Sequence, residues 1–362
     1  MKLFYDARYI RPIHDGISRY STQIANSLAK YTDVTFIISD KHQLEKLPKD
    51  AKFVKIHPPI SPLEVFTPLF LNRYKPDVVF SPLHTPGVFG RKYKSILTSH
   101  DLIYYHHHTP PLDLHNPIMR VLWRLYFASY IPQRIILNSA DIVVTVSESA
   151  KKEFKAAKIT KRPILVVPNA PNQLDKQLTK LPDVAAHAPR NIVYMGAFIG
   201  YKNVETLVLG MQWLPDYTLH LLSKVPPERK EALLELKPRG VKVIFHNGVT
   251  DKEYAELLAD SAILATASLD EGYGLPVAEA LTLGVPVVIT DMPVFHEVAA
   301  DGALYFDPHS PHDFADQVQR LDDPELRAKL GKAGKAHIAT FNWDASAKKL
   351  YDAAVKLVDT NR

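Results

Sequence analysis

The chain has 362 residues, of which 46% are apolar and 23% charged, and it contains no cysteine. These proportions fit a globular protein, and they exclude a disulfide scaffold, a thiolate zinc site, an iron–sulfur cluster and a cysteine nucleophile. The net charge of +5 is unevenly spread: residues 1–188 carry 26 Lys+Arg against 15 Asp+Glu (+11), residues 189–362 carry 18 against 24 (−6). Such asymmetry implies halves that meet different partners, the basic half suiting an anionic one. No run approaches the ~18–20 apolar residues of a membrane span. The acid at Asp6 argues against a secretory signal, so a cytoplasmic address is expected.

In chain order, short β-branched runs alternate with helical patterns. The first half predicts strands at Leu3–Tyr5, Val34–Ile38, Phe53–Ile56, Val78–Phe80, Ser95–Thr98, Ile142–Val146 and Leu165–Val167. The second predicts Ile192–Met195, Thr218–Leu222, Val241–Phe245, Ile263–Thr266, Val287–Ile289 and Ala303–Phe306. A helix is expected over Ser18–Tyr31, with Tyr20, Ile24 and Leu28 on one face and Ser18 as its cap. Helical segments Pro311–Leu321, Pro324–Thr340 and Trp343–Asp359 close the chain.

Near-continuous apolar strands alternating with helices imply parallel sheets covered on both faces. The expected fold is therefore α/β, with two Rossmann-like doubly wound domains. The first is placed at residues 1–170 and a Pro-rich linker at 171–190. The second spans residues 191–342, and a C-terminal helix, 343–362, crosses back to the first. Ligands of such sheets bind at the carboxyl ends of the strands, where helix N-termini offer free N–H groups.

Several chemistries have no signature. No Gly-x-Gly-x-x-Gly follows a strand, so a dinucleotide has no fingerprint. Gly331-Lys332-Ala333-Gly334-Lys335 is not a phosphate loop and falls in the helical tail, and no Asp-x-Asp occurs to bridge a metal to a diphosphate. The triplet His106-His107-His108 lacks a carboxylate at metal-ligand spacing.

The strongest signal is Ser268-Leu269-Asp270-Glu271-Gly272-Tyr273-Gly274-Leu275-Pro276-Val277-Ala278-Glu279-Ala280. A strand runs into a glycine-bearing turn, and Pro276 suits the first turn of a helix. Gly272 and Gly274 allow the backbone close to a ligand, and the N–H groups around Tyr273–Leu275 point at an anion. Glu279, one turn in, can accept two hydrogen bonds from paired hydroxyls.

This Glu-x7-Glu pattern resembles the signature of family-four retaining glycosyltransferases of the GT-B fold, and the resemblance runs nearly the whole length. Asp15-Gly16-Ile17-Ser18-Arg19-Tyr20 resembles the glycine loop after the first strand, Ser99-His100-Asp101-Leu102 the acceptor-side histidine turn, and Val146-Ser147-Glu148 a later serine turn. Val167-Pro168-Asn169-Ala170 resembles the motif ending the first domain, and Lys202-Asn203 the basic turn opening the second. The resemblance implies that Lys202 contacts the donor diphosphate, Glu279 the nucleotide ribose and Glu271 the donor sugar. Gly272 shapes the turn, while backbone groups of Tyr273, Gly274 and Leu275 hold phosphate and sugar. Asn247-Gly248-Val249 faces the base, Gly16 admits the diphosphate, and His100 faces the reacting sugar.

One departure stands out. The family pairs its lysine with an arginine just before it; here Ala197 follows Gly196 and Tyr201 precedes Lys202, leaving Arg19 and Lys224 as candidates for the missing charge. The implied activity is metal-independent, cofactor-free, retaining transfer of a hexose from a nucleoside-diphosphate sugar, mannosyl- or rhamnosyl-transferase-like, in polysaccharide or glycolipid assembly. A nucleotide-sugar 2-epimerase of the same fold and a non-catalytic sugar-nucleotide-binding subunit are the alternatives. Nucleic acid is not an expected partner. Lys151, Lys152, Lys155 and Lys158, on a helix read as Glu148–Lys158, predict peripheral contact with an anionic membrane beside a sugar or lipid-linked sugar acceptor.

Overall fold

The computed structural model describes residues 1–12, 15–84, 90–110, 114, 116–179, 189–260 and 262–359. Residues 180–188 of the expected linker and the last three residues of the expected C-terminal helix lie outside that set. The chain divides into two compact units, residues 1–169 with 342–362, and residues 170–341.

In the first unit, β1 (Leu3–Asp6), β2 (Val34–Ile38), β3 (Lys52–Lys55), β4 (Val78–Ser81), β5 (Lys94–Thr98), β6 (Ile142–Thr145) and β7 (Ile164–Val166) form one parallel sheet. Its order is β3-β2-β1-β4-β5-β6-β7. β1 is central, with Leu3 in register with Val34 on one side and Val78 on the other. Tyr5 anchors the core, its ring 6.0 Å from Phe36 and 5.3 Å from Phe80, and its buried hydroxyl donates to Ser21 O at 2.7 Å.

Helix Gly16–Leu28 covers this sheet with Tyr20, Ile24 and Leu28 buried. It begins two residues before the expected Ser18. Asp15 is the cap, accepting from Ser18 N at 2.9 Å, while Ser18 Oγ bonds the backbone of Arg11. A carboxylate three residues upstream satisfies the first-turn donors and leaves the serine free to tie down the loop. The final helix, Trp343–Asp359, belongs to this unit: Trp343 meets Tyr20, Lys30 pairs with Asp344 at 2.8 Å, and Ser346 Oγ donates to Pro168 O at 2.7 Å.

In the second unit, β8 (Asn191–Tyr194), β9 (Thr218–Leu221), β10 (Lys242–Phe245), β11 (Ala262–Thr266), β12 (Val287–Thr290) and β13 (Ala303–Phe306) are again all parallel. Their order is β10-β9-β8-β11-β12-β13. In both sheets the order reverses beside the first strand, between β1 and β4 and between β8 and β11. That reversal is where open α/β sheets leave a crevice.

Gly331-Lys332-Ala333-Gly334-Lys335 lies within helix Pro324–Ile338. Its glycine has a packing role: a Cβ on Gly302 would stand 2.3 Å from Gly334 Cα. Gly302→Ala should therefore force two backbones apart and destabilise the second unit by about 2 kcal/mol. Thermal unfolding measures it; an unchanged midpoint would show the contact to be loose.

Candidate active site

At the β8/β11 reversal, two loops carry the residues singled out by sequence. The loop after β8 ends in a short turn, Gly200–Lys202, and Asn203 adopts a left-handed conformation (φ 49°) before helix Val204–Gly210. Its side chain donates to Pro308 O at 2.7 Å and accepts from Thr206 Oγ1 at 3.1 Å. The loop after β11 leads to helix Leu275–Thr282. Leu269 N donates to Tyr201 O at 2.7 Å, clamping the two loops backbone to backbone.

That clamp brings Lys202 and Glu271 together as an ion pair, with only 14% and 15% of their side chains exposed. Ser268 Oγ donates to the same Glu271 oxygen at 3.3 Å. Ser268 is itself held by Thr266, 3.0 Å away, and by Thr290, whose hydroxyl donates to Ser268 O at 2.7 Å. This hydroxyl ladder escapes sequence reading because Thr290 joins it from a neighbouring strand.

Helix Leu275–Thr282 starts at Gly274, with φ 90° and no side-chain cap. A side chain at Gly274 would be strained, and its Cβ would fall 2.6 Å from the Phe295 ring. The first-turn N–H groups thus stay open toward an anion, as the dipole favours. Gly272 and Tyr273 are buried in the turn, with the Tyr273 ring 6.1 Å from Phe341, and burial pushes the Tyr273 phenol far above its ordinary pKa. Glu279 lies buried on the second turn.

Asn247 and Gly248 both have positive φ (56° and 110°), and Gly248 N donates to Leu222 O at 2.7 Å, which fixes the turn that includes Val249. Exposed Lys224 runs along Gly248, placing this candidate for the missing charge at that turn. Arg229, not singled out by sequence, pairs with Glu205 at 2.5 Å, one turn beyond Lys202.

The remaining candidates stand in the first unit. Gly16 and Arg19 occupy the first turn of helix Gly16–Leu28. His100 follows β5; its Nε2 donates to Pro82 O at 2.9 Å, its ring meets Tyr20 edge-on at 5.0 Å, and burial lowers its pKa. His84, which sequence reading missed, lies close by. Burial first, then His100, pushes it down to about 4. Both imidazoles are therefore neutral at pH 7, and the Nε2–H of His100 leaves its Nδ1 as the acceptor.

One expectation needs correction. The lysine helix ends at Ala156, not Lys158. Lys158 takes a left-handed conformation (φ 49°), with Ile159 N bonded to Phe154 O at 3.0 Å and Lys158 N to Lys155 O at 3.1 Å. This closing turn buries Ile159 beside Phe154, so Lys158 leaves the helical face. In the histidine triplet, His106 Nε2 lies 3.0 Å from Glu153, a carboxylate brought in by another element.

Two family models match in succession: "Glycosyltransferase Family 4" over residues 14–172 and "Glycosyl transferases group 1" over residues 175–337. The O-antigen chain mannosyltransferase RfbU of Salmonella typhimurium is 26% identical over 352 residues, covering 91% of this chain and 92% of its own. O-antigen chain mannosyltransferase B of Escherichia coli is 26% identical over 226 residues, 58% of each chain. Among solved structures, sucrose-phosphate synthase from Thermosynechococcus elongatus has a TM-score of 0.77 at 18% identity, covering 99% of this chain and 100% of its own. WaaG, a glycosyltransferase involved in lipopolysaccharide biosynthesis, has a TM-score of 0.70 at 17% identity, covering 97% and 99%. The fold is thus the GT-B fold, and the chain belongs to the family-four, group 1 glycosyltransferases.

Proposed function

We propose that this glycosyltransferase moves a hexose of manno type, with retention and without a metal ion, from a nucleoside-diphosphate sugar to an acceptor hydroxyl in polysaccharide or glycolipid assembly. The observation that carries the reading is the Lys202–Glu271 pair beside the uncapped glycine mouth of helix Leu275–Thr282. A diphosphate needs cationic and N–H donors in one place, and the sugar beyond it needs a carboxylate for its hydroxyls. Family membership favours transfer over epimerisation. The mannosyltransferase names of the relatives support the manno preference.

In this mechanism the second unit binds the donor. Lys202 and the first-turn N–H groups take up charge as the C1–O bond to the diphosphate breaks. Glu271 orients the ammonium before the donor arrives and then holds sugar hydroxyls, Glu279 holds the ribose, and the Asn247–Val249 turn faces the base. The first unit binds the acceptor, with neutral His100 toward the reacting sugar. The acceptor oxygen forms the new bond to C1 on the same face, and its proton passes to the departing phosphate. Positioning and leaving-group stabilisation supply the rate.

Glu279→Ala is expected to weaken nucleotide binding about tenfold or more, since a charge-assisted hydrogen-bond pair is lost. Glu271→Ala should leave UDP or GDP affinity within about twofold yet lower transfer about a hundredfold. Calorimetry beside a transfer assay separates these, and unchanged affinity in Glu279→Ala would remove its assignment to the ribose. A thermal-shift panel of nucleotides identifies the base, because a ligand at 100 times its Kd adds about 2.7 kcal/mol.

Full activity is expected in excess EDTA, because no Asp-x-Asp exists and Lys202 with the helix mouth faces the diphosphate. Loss restored by manganese or magnesium would overturn this account of the phosphate site.

We also propose that the enzyme works at an anionic membrane surface through Lys151, Lys152 and Lys155 of helix Glu148–Ala156, each basic residue near the leaflet contributing about 1 kcal/mol. Neutralising these three should lower activity on a vesicle-bound acceptor and spare a short soluble one; equal loss on both would refute the contact.

A further inference from the structure

Three polar side chains on one face of the second sheet form a hydrogen-bonded row that ends at the turn carrying Asn247 and Gly248. Asn191 of β8 stands in register with Thr218 of β9, and His220 of β9 with Ile244 of β10, so two-residue alternation brings Asn191, His220 and His246 to one face. Asn191 Nδ2 donates to Asp260 O at 3.0 Å, where helix Asp251–Ala259 ends. Asn191 Oδ1 lies 3.2 Å from His220 Nε2, and His220 Nδ1 lies 3.0 Å from His246 Nε2.

The carbonyl at one end fixes every proton in the row. Asp260 O only accepts, so the Asn191 amide turns its oxygen toward His220. That oxygen also only accepts, so His220 carries its proton on Nε2 and leaves Nδ1 bare. His246 must then donate from Nε2. This last donor adjoins the turn: His246 N donates to Leu221 O at 2.9 Å and Gly248 N to Leu222 O at 2.7 Å, which hangs the main chain on either side of Asn247 from the end of β9. Apolar side chains would cover the same face without desolvating an amide and two imidazoles, so packing alone does not account for the row.

We propose that Asn191 and His220 are positioning residues for the donor: through His246 they hold the Asn247–Val249 turn in the shape that receives the nucleotide base, and protonation of His220 Nδ1 releases it. The proposal rests on the reading that this turn faces the base. The ionisable groups around His220 are His246, Asp260, Glu253 on the first turn of helix Asp251–Ala259, and Lys242, which shares the sheet face two residues before Ile244. Glu253 is engaged by Thr250, and Glu256 of the same helix pairs with Lys252 at 3.8 Å. Burial first, then His246, lowers the His220 pKa, against the opposing pull of Asp260. The row is therefore intact at pH 7 and is lost only as pH falls below the ordinary histidine value of about 6.5. Protonation of His246 does not break it, because the imidazolium still donates from Nε2.

The test is calorimetry of the full chain with UDP, GDP and, as a ligand without a base, inorganic pyrophosphate, at pH 7.5 and pH 5. At pH 7.5 His220→Phe should weaken nucleotide binding about tenfold and leave pyrophosphate within about twofold. In transfer assays the donor KM should rise by a similar factor with kcat nearly unchanged, as for a loss of uniform binding. His220→Gln keeps a donor and an acceptor but cannot take up a proton. It should bind nucleotide like the wild type at pH 7.5 and about threefold or more tighter than the wild type at pH 5. The comparison is between the two proteins at each pH, since the diphosphate gains protons in the same range. His246→Leu removes the terminal donor and carries the same expectations as His220→Phe should the latter fail to fold. Equal weakening of pyrophosphate and nucleotide would overturn the proposal in favour of general loosening of the unit, and an unchanged wild-type to His220→Gln ratio at pH 5 would overturn the protonation step. Gly248→Ala strains the turn directly, because Gly248 has φ 110°. Nucleotide binding lost in Gly248→Ala but kept in His220→Phe would overturn the relay alone; binding kept in both would overturn the base reading and the relay with it.

Discussion

The backbone hydrogen bond from Leu269 N to Tyr201 O ties together the two loops that flank the β8/β11 reversal. A parallel sheet sends neighbouring strands' loops to the same edge, but it does not dictate how those loops meet. The clamp does. Lys202 sits one residue after Tyr201 and Glu271 two after Leu269, so the bond fixes the origin of both side chains before they pair. Ser268 Oγ then donates to the carboxylate, and Thr266 and Thr290 hold Ser268 in place through its hydroxyl and its carbonyl oxygen. A charged pair with little exposure is tolerable only when its remaining polar contacts are filled.

All thirteen predicted strands are present; the inner ones, covered on both faces, write themselves as short β-branched runs, while the edge strands β3 and β10 are only partly covered. What escaped was the competition between neighbouring residues for one role. Asp15 and Ser18 both suit a helix cap; the carboxylate wins because Ser18 is already bonded to Arg11. Lys158 continues a helical charge pattern, yet the burial of Ile159 against Phe154 ends the helix two residues earlier. Local spacing says nothing of either outcome. The site divides in the same way. Gly274 and the Glu271–Glu279 spacing were legible because they lie in one continuous segment. His84 beside His100, and Glu153 against His106, depend on which strands and helices become neighbours.

The outward stripe of helix Pro117–Phe127 shows a different limit of sequence patterning. An amphipathic period reports that one face is apolar, not which direction that face points. Aromatic residues resolve the ambiguity here, since Trp123 and Phe127 fill the space against Tyr104 and leave the smaller aliphatic side chains outside. In water that arrangement is unfavourable.

Divided along the compact units, the charge contrast sharpens: 28 Lys+Arg against 16 Asp+Glu in the first, a balance of +12, and 16 against 23 in the second, a balance of −7. A diphosphate donor gains nothing from the overall field of an acidic unit. At the donor site proposed above, binding would come from short-range donors, one lysine and the open first turn of a helix, where N–H groups act at contact distance and net charge is screened. The basic unit has the opposite character. Its excess charge is spread over a surface rather than focused at a point, which suits a partner that is itself an extended anionic plane. On the proposed reading, donor recognition by local geometry and surface attachment by distributed charge can vary independently in one chain.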